Sequence, residues 1–201
     1  MNKKSETTKI KILNTALNIA STEGLKGLTI GNLATALNMS KSGLFAHFNS
    51  KENLQIAVLS HAVALFEEKV IQPSRMELDY LKRLRRIADL WVEWDHHFDG
   101  SCIFVGAQAE FDDQPGRVRD YLKEQMRSWI EYLRRQVVKA QEQGALQPEV
   151  DSLQIAYEIY SLFLGGHLFA WLEIDGEGQE RVRAGLDSIL SRYAYEAKNR
   201  K

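Results

Sequence analysis

The chain of 201 residues contains one cysteine, Cys102. That excludes an internal disulfide framework, so packing must hold the fold, and a reducing compartment is expected. Prolines number only three, Pro73, Pro115 and Pro148, and the long stretches between them are free to be helical. No apolar run approaches the roughly 18 residues of a membrane span. The opening MNKKSETTK lacks the apolar segment of a signal peptide, so no membrane partner is expected and the cytoplasm is the expected location. No segment alternates apolar and polar residues as a half-buried strand would. Repeats, low-complexity tracts and long linkers are absent as well. Neither a nucleophile and base at motif spacing nor a phosphate-cradling glycine-rich loop occurs, so no enzymatic activity, cofactor or metal is expected.

Arginine is missing from the first 54 residues, which carry seven lysines against three glutamates, a net +4. The remainder carries 19 basic and 24 acidic residues, a net −5, and the two sum to the whole-chain −1. Phosphate binding needs local positive charge, so the near-neutral total does not exclude a nucleic-acid partner.

With 44% hydrophobic residues, the chain can bury a sizeable core. Apolar residues recur every three or four positions almost throughout, which predicts an all-α fold. A first helix is expected over 7–23, with Ile10, Leu13, Ala16, Leu17 and Ala20 on one face and Gly24 as its terminating glycine. The segment 28–54, LTIGNLATALNMSKSGLFAHFNSKENL, carries the most information. Thr29 reads as an N-cap ahead of Ile30, Leu33, Ala34 and Leu37. Asn38 suits a turn that needs positive φ, and Ser40 caps a short helix over 41–47. Two short helices joined by such a turn form a helix-turn-helix, the second sized for the DNA major groove. Ser50 caps a third helix that should run to about Gln72.

The expected division is a three-helix DNA-binding head over 1–54 and a larger helical body over 55–201, to which the resemblance described below adds effector binding and dimerisation. Body helices are expected near 76–98, 101–112, 115–144, 151–173 and 178–198, about nine helices in all. The helix from 153 to 172 is apolar nearly all round, and the last one carries a stripe of Val182, Leu186, Ile189, Leu190 and Tyr193. The pair suits a four-helix interface with a second subunit, formed by Tyr160, Leu164, Leu168, Trp171, Leu186, Ile189 and Tyr193. Gly165 and Gly166 would allow close backbone approach, either there or inside one subunit.

Ser40, Leu44, Phe45, His47, Phe48, Lys51, Glu52 and Leu54, in register with Thr29, resemble the TetR/AcrR family of transcriptional regulators. The segment CIFVGAQAEFDDQPGRVRDYL resembles one C-terminal type of that family. The resemblance implies an all-α homodimer that binds a double-stranded operator through its head and a small effector in its body. By position, Thr29 would hold a phosphate, Ser40, Lys41, Ser42 and Gly43 would open the recognition helix, and His47 and Lys51 would grip phosphates. Phe45 stands where the family usually has a tyrosine, so a hydroxyl contact is lost. Gly43 stands where threonine or alanine is common. Trp91, Trp94, Phe98, Phe104, Trp129, Tyr132 and His167 fall on body helices where the effector pocket is implied, and they point to an apolar or aromatic ligand.

Other residues read as structure. Cys102 has no second cysteine and no adjacent base to make a redox sensor. His96 and His97 are neighbours about 100° apart on a helix, which prevents joint chelation. Asp112 and Asp113 suit a cap for the helix after Pro115, and Arg83, Arg85, Arg86, Arg134 and Arg135 an ion-paired surface. The competing readings are a helical small-molecule enzyme and a protein-interaction module with a non-functional head.

Overall fold

The structure, a computed structural model, describes residues 3–174 and 178–195. Its elements are α1 (Lys3–Glu23), α2 (Ile30–Leu37), α3 (Lys41–Phe48), α4 (Lys51–Phe66), α5 (Gln72–Ser74), α6 (Tyr80–Trp94), α7 (Ile103–Phe111), α8 (Arg117–Glu142), α9 (Ser152–Trp171) and α10 (Gly178–Arg192). The fold is all-α, as the periodicity predicts. Among the described residues, one isolated antiparallel bridge, Leu146 to Ala194, is the sole β-type pairing, and no helix is long and apolar enough to cross a membrane.

Helix ends follow local chemistry. Gly24 takes φ of 81° to stop α1, a conformation that costs a residue with a Cβ about 1–2 kcal/mol. Pro115 and Pro148 fall in the connections before α8 and α9. Pro73 also falls at a helix start. It sits in the first turn of α5, and the helix expected to run unbroken to 72 changes to a π-turn over Glu67–Ile71. Proline has no N–H for the carbonyl four residues back, and the wider turn just ahead accommodates that loss. Asp112 closes α7 and does not cap the next helix, because Gly116, at φ of 152°, delays the start of α8 to Arg117.

The chain forms two compact units, cut differently from the expected boundary at 54. One comprises the residues through Glu67 together with Asp95–Met126; the other comprises Glu68–Trp94 together with Arg127 onward. In the first unit, Ile12, Ala16, Leu33, Leu44, Phe48, Leu54 and Val58 share one core with Ile103, Ala107 and Phe111 of α7 and Val118 and Leu122 of α8. The four-residue spacing along α7 puts its three apolar residues on one face. Burying each larger side chain stabilises by about 1.5–3 kcal/mol, so α7 is an integral layer of the head's core. Polar ties add to this contact. The Asn18 amide donates to the Asp99 carboxylate, and the Ser101 N–H donates to the Ser21 carbonyl at 3.1 Å. A Cβ on Gly100 would lie 2.0 Å from that same carbonyl oxygen, so only glycine permits the approach.

In the second unit α10 packs on α9 and α6. Leu186 and Ile189, expected at a subunit interface, are 1% and 7% exposed inside the protomer. The apolar stripe of α10 is its inward face, used up by α6 and α9 of the same chain. Gly166 serves this crossing too, since a Cβ there would lie 2.4 Å from Val182 Cγ2. Gly185 returns the arrangement, a Cβ there lying 2.6 Å from Leu162 Cδ1, whereas Gly165 has open space. Of the arginines expected on an ion-paired surface, Arg85 meets Asp187 at 2.7 Å and Arg134 meets Glu131 at 2.7 Å, whereas Arg83 donates to the Glu77 carbonyl at 2.6 Å; Arg183 adds a pair with Asp89 at 2.6 Å. Exposed pairs of this kind add little to stability.

His61 on α4 lies 2.6 Å from Asn14 Oδ1 of α1 through Nε2, and burial lowers its pKa below the ordinary 6.5. The unfolded chain therefore binds the proton more readily than the native state. Stability from this site is complete above pH 6.5 and is lost as pH falls through 6.5 toward the depressed value. Thermal unfolding of wild type and His61→Gln across that window should show the wild-type midpoint falling more steeply; parallel curves would exclude the linkage.

Candidate nucleic-acid interface

The recognition pair is built by caps. Thr29 is extended at φ −132°, its hydroxyl accepts from the Asn32 N–H at 3.1 Å, and Asn32 Oδ1 accepts from the Thr29 N–H at 2.8 Å. This is a reciprocal capping box with asparagine in the place of the usual Glu or Gln. Asn38 ends α2 at φ 52°, and the Met39 N–H donates back to the Ala34 carbonyl at 3.0 Å. Ser40 then caps α3, its Oγ accepting from the Gly43 N–H at 3.1 Å. A Cβ at Gly43 would meet that Oγ at 3.0 Å, so glycine gives the serine hydroxyl its room. Ser50 repeats the device for α4 by accepting from the Asn53 N–H at 3.1 Å.

On α3, Leu44 and Phe48 are buried, while Lys41, Ser42, Phe45 and His47 are exposed and Gly43 is half-buried. The 53% exposure of Phe45 leaves a large apolar ring on the outer face of an otherwise polar helix. Thr29 and Lys51 are also exposed. Lys51 Nζ donates to the Lys26 carbonyl at 2.6 Å, and its other two ammonium protons remain for an anion. The structure thus places Thr29, Ser40, Lys41, Ser42, Gly43, Phe45, His47 and Lys51 on or beside one short helical pair. Charge, hydroxyls and helix N-termini there match what a phosphate backbone requires.

Three further side chains hold this pair. Gln55, buried on α4, donates to the Leu25 carbonyl at 2.8 Å. Asn32 Nδ2 donates to the Gly27 carbonyl at 3.0 Å. Glu110 of α7 accepts from the Leu25 and Lys26 N–H groups at 2.9 and 2.6 Å. Asn32 could have been found from its position three residues after Thr29. Nothing local marks Gln55 or Glu110, whose partners lie 30 and about 85 residues away.

The seven proposed ligand-lining residues do not form one group. Phe98 and Phe104 belong to the first unit; Trp91, Trp94, Trp129, Tyr132 and His167 belong to the second. Phe104 meets Phe66 edge-on at 6.1 Å. Phe98 lines a cleft of about 520 Å³ with Leu17, Ile19, Leu65, Asn14, Asn18 and Asp99, a wall of mixed apolar and polar character. Trp91 stacks on Phe163 at 5.0 Å and Trp94 is 1% exposed, so packing uses both rings. Trp129 stacks on Tyr132 at 5.8 Å; Trp129 and His167 are half-buried. Cys102 is buried, and among the described residues no three His, Cys, Asp or Glu side chains are grouped to hold a metal ion.

Of the proposed interface residues, Leu168 and Trp171 are exposed, and Tyr160 and Leu164 are half-buried on α9. Tyr193 is tied within the chain, its hydroxyl donating to Glu158 Oε1 at 2.6 Å. That bond, with the Gln154 amide and Arg192 nearby, holds the Glu158 carboxyl below the usual carboxylate range.

Comparison with known proteins matches these features at both ends. The profile described as bacterial regulatory proteins, tetR family, covers residues 12–58. That of the tetracyclin repressor-like C-terminal domain covers 81–186. The HTH-type transcriptional repressor NemR of Escherichia coli is 24% identical over 195 residues, spanning 95% of this chain and 98% of NemR. Among solved structures, a TetR transcriptional regulator from Chloroflexus aurantiacus superposes with a TM-score of 0.87 at 21% identity, over 98% of this chain and 100% of that one. AibR in complex with isovaleryl coenzyme A and operator DNA does so at 0.67 and 23%, over 92% and 97%. With its helix-turn-helix and its C-terminal region both matched, the chain belongs to the TetR family of DNA-binding transcriptional regulators.

Proposed function

We propose that this regulator is a cytoplasmic homodimeric repressor that leaves its operator when a small apolar or aromatic effector binds its body. The observation that carries the reading is the recognition pair itself. α3 buries only Leu44 and Phe48 and turns Lys41, Ser42, Phe45 and His47 outward, a face whose ammonium, hydroxyl and rings suit contact with a DNA backbone and base edges. The related NemR is a repressor, which supports that sign of regulation. Two such helices on a two-fold axis would enter successive major grooves of a near-palindromic operator. Effector binding must favour a state with lower DNA affinity, and the coupling equals the difference in effector affinity between the two states. The Trp129 ring, half-buried and stacked on Tyr132, supplies aromatic surface for such an effector, while the stacked Trp91 and Phe163 are buried and would have to open to reach it. Gel shift against DNA flanking the chain's own gene, with excess nonspecific DNA, tests the reading; absence of any specific shift would refute it.

For the dimer, α9 offers an outward stripe of Leu153, Tyr157, Tyr160, Leu164, Leu168 and Trp171, whose spacing of three and four residues keeps them on one face. Trp171 is 70% exposed, and a patch of this kind usually marks an interaction surface. The inward Leu186 and Ile189 drop out of that interface, and α9 takes the larger share. Light scattering should find the double variant Leu168→Glu, Trp171→Glu folded and monomeric, while Leu186→Glu should lose the fold itself. A dimer that survives the α9 changes would place the interface elsewhere.

Two head variants test the contacts. Lys51→Ala should weaken DNA binding about equally across sequences and lower the salt slope by roughly one unit; unchanged binding at several salt concentrations would remove its phosphate role. Because the Phe45 ring is exposed, Phe45→Tyr should bind equally well or better in the same titration, and a large loss would show that the ring contacts an apolar base edge.

A further inference from the structure

The loop between α1 and α2 is where the head is tied to a segment far along the chain. We propose that Glu110 is a positioning residue for DNA binding, a carboxylate on α7 that sets the phosphate-contacting groups of the head through the backbone of residues 25–27. The inference rests on the DNA contacts assigned above to Thr29 and Lys51.

Glu110 Oε1 accepts from the Leu25 N–H at 2.9 Å and Oε2 from the Lys26 N–H at 2.6 Å, so both oxygens serve consecutive amides. The loop's own carbonyls face the other way, each toward a head side chain. The Leu25 carbonyl takes the buried Gln55 amide at 2.8 Å, the Lys26 carbonyl takes Lys51 Nζ at 2.6 Å, and the Gly27 carbonyl takes Asn32 Nδ2 at 3.0 Å. Asn32 in turn holds the Thr29 backbone N–H and hydroxyl. A continuous set of bonds therefore joins Glu110 to Lys51 in one step of backbone and to Thr29 in two.

The approach is built for that side chain. A Cβ on Gly24 would lie 2.8 Å from Glu110 Oε1, and Gly24 is also at φ 81°. The Lys26 ammonium lies 5.4 Å from the centroid of the neighbouring Phe111 ring, so the residue after Glu110 braces the same loop. Leu25, between the two bonded peptides, is fully buried. No other described side chain is shown accepting from these two N–H groups. A carboxylate that accepts from two consecutive, part-buried amides makes one of the stronger polar contacts, and its loss leaves two donors without their partner.

The test uses the full-length chain and a duplex that the wild type selects from a random library. Glu110→Ala should bind that duplex roughly 10- to 100-fold more weakly. Its salt slope should fall as in Lys51→Ala, and the double variant should show no further fall, because both changes remove the same phosphate contact. Amide exchange at Leu25 and Lys26 should accelerate. Glu110→Gln, which keeps one carbonyl acceptor, should fall between and replaces the alanine variant if that one does not fold. Wild-type affinity and slope in either folded variant, or strictly additive slopes in the double variant, would overturn the proposal. A wild type that selects no duplex would overturn the DNA contacts on which it rests, an outcome distinct from selection without an effect of Glu110.

Discussion

Three residues between α2 and α3 decide where the outward side chains of α3 point. Asn38 is held at φ 52°, the next N–H returns to Ala34, and Ser40 is already extended as the cap of α3. Asparagine tolerates this left-handed geometry better than a branched residue, for which it costs about 1–2 kcal/mol. With the turn set, Leu44 and Phe48 must enter the core, and the outward positions of α3 then belong to Lys41, Ser42, Phe45 and His47. The short helix has little stability of its own, so tertiary packing and its caps supply what eight residues cannot.

That packing reaches further than the motif. The head's core is completed by Ile103, Ala107 and Phe111, and the end of α1 is held by Asp99, Ser101 and Glu110. α7 thus contributes to the same compact unit as the recognition helix, although it falls in the stretch matched by the C-terminal profile. A change that displaced α7 would strain the head's core and its backbone hydrogen bonds together.

What was legible in the sequence was local. Thr29, Asn38, Ser40 and Ser50 announce their roles within three residues of themselves, because a cap bonds to a backbone N–H two or three positions on. The all-α class followed from periodicity, and the family from the same short segment. Contacts across 80 residues leave no such trace, so nothing local in the sequence joins residues 95–126, Glu110 among them, to the head. Periodicity also states that a face is buried without stating against what. Leu186 and Ile189 form a true apolar face of α10, yet it closes on α6 and α9 of the same chain. Aromatic type alone does not separate Trp94, sealed in a core, from Phe98 at the wall of a cleft.

Gly166 beneath Val182, and Gly185 beneath Leu162, lock α9 and α10 at distances that exclude even a methyl group. The outer side of α9, with Leu168 and Trp171, takes no part in that lock. Substitutions on the outer stripe would therefore leave the α9–α10 crossing untouched, so that face can change its chemistry at little cost to the fold.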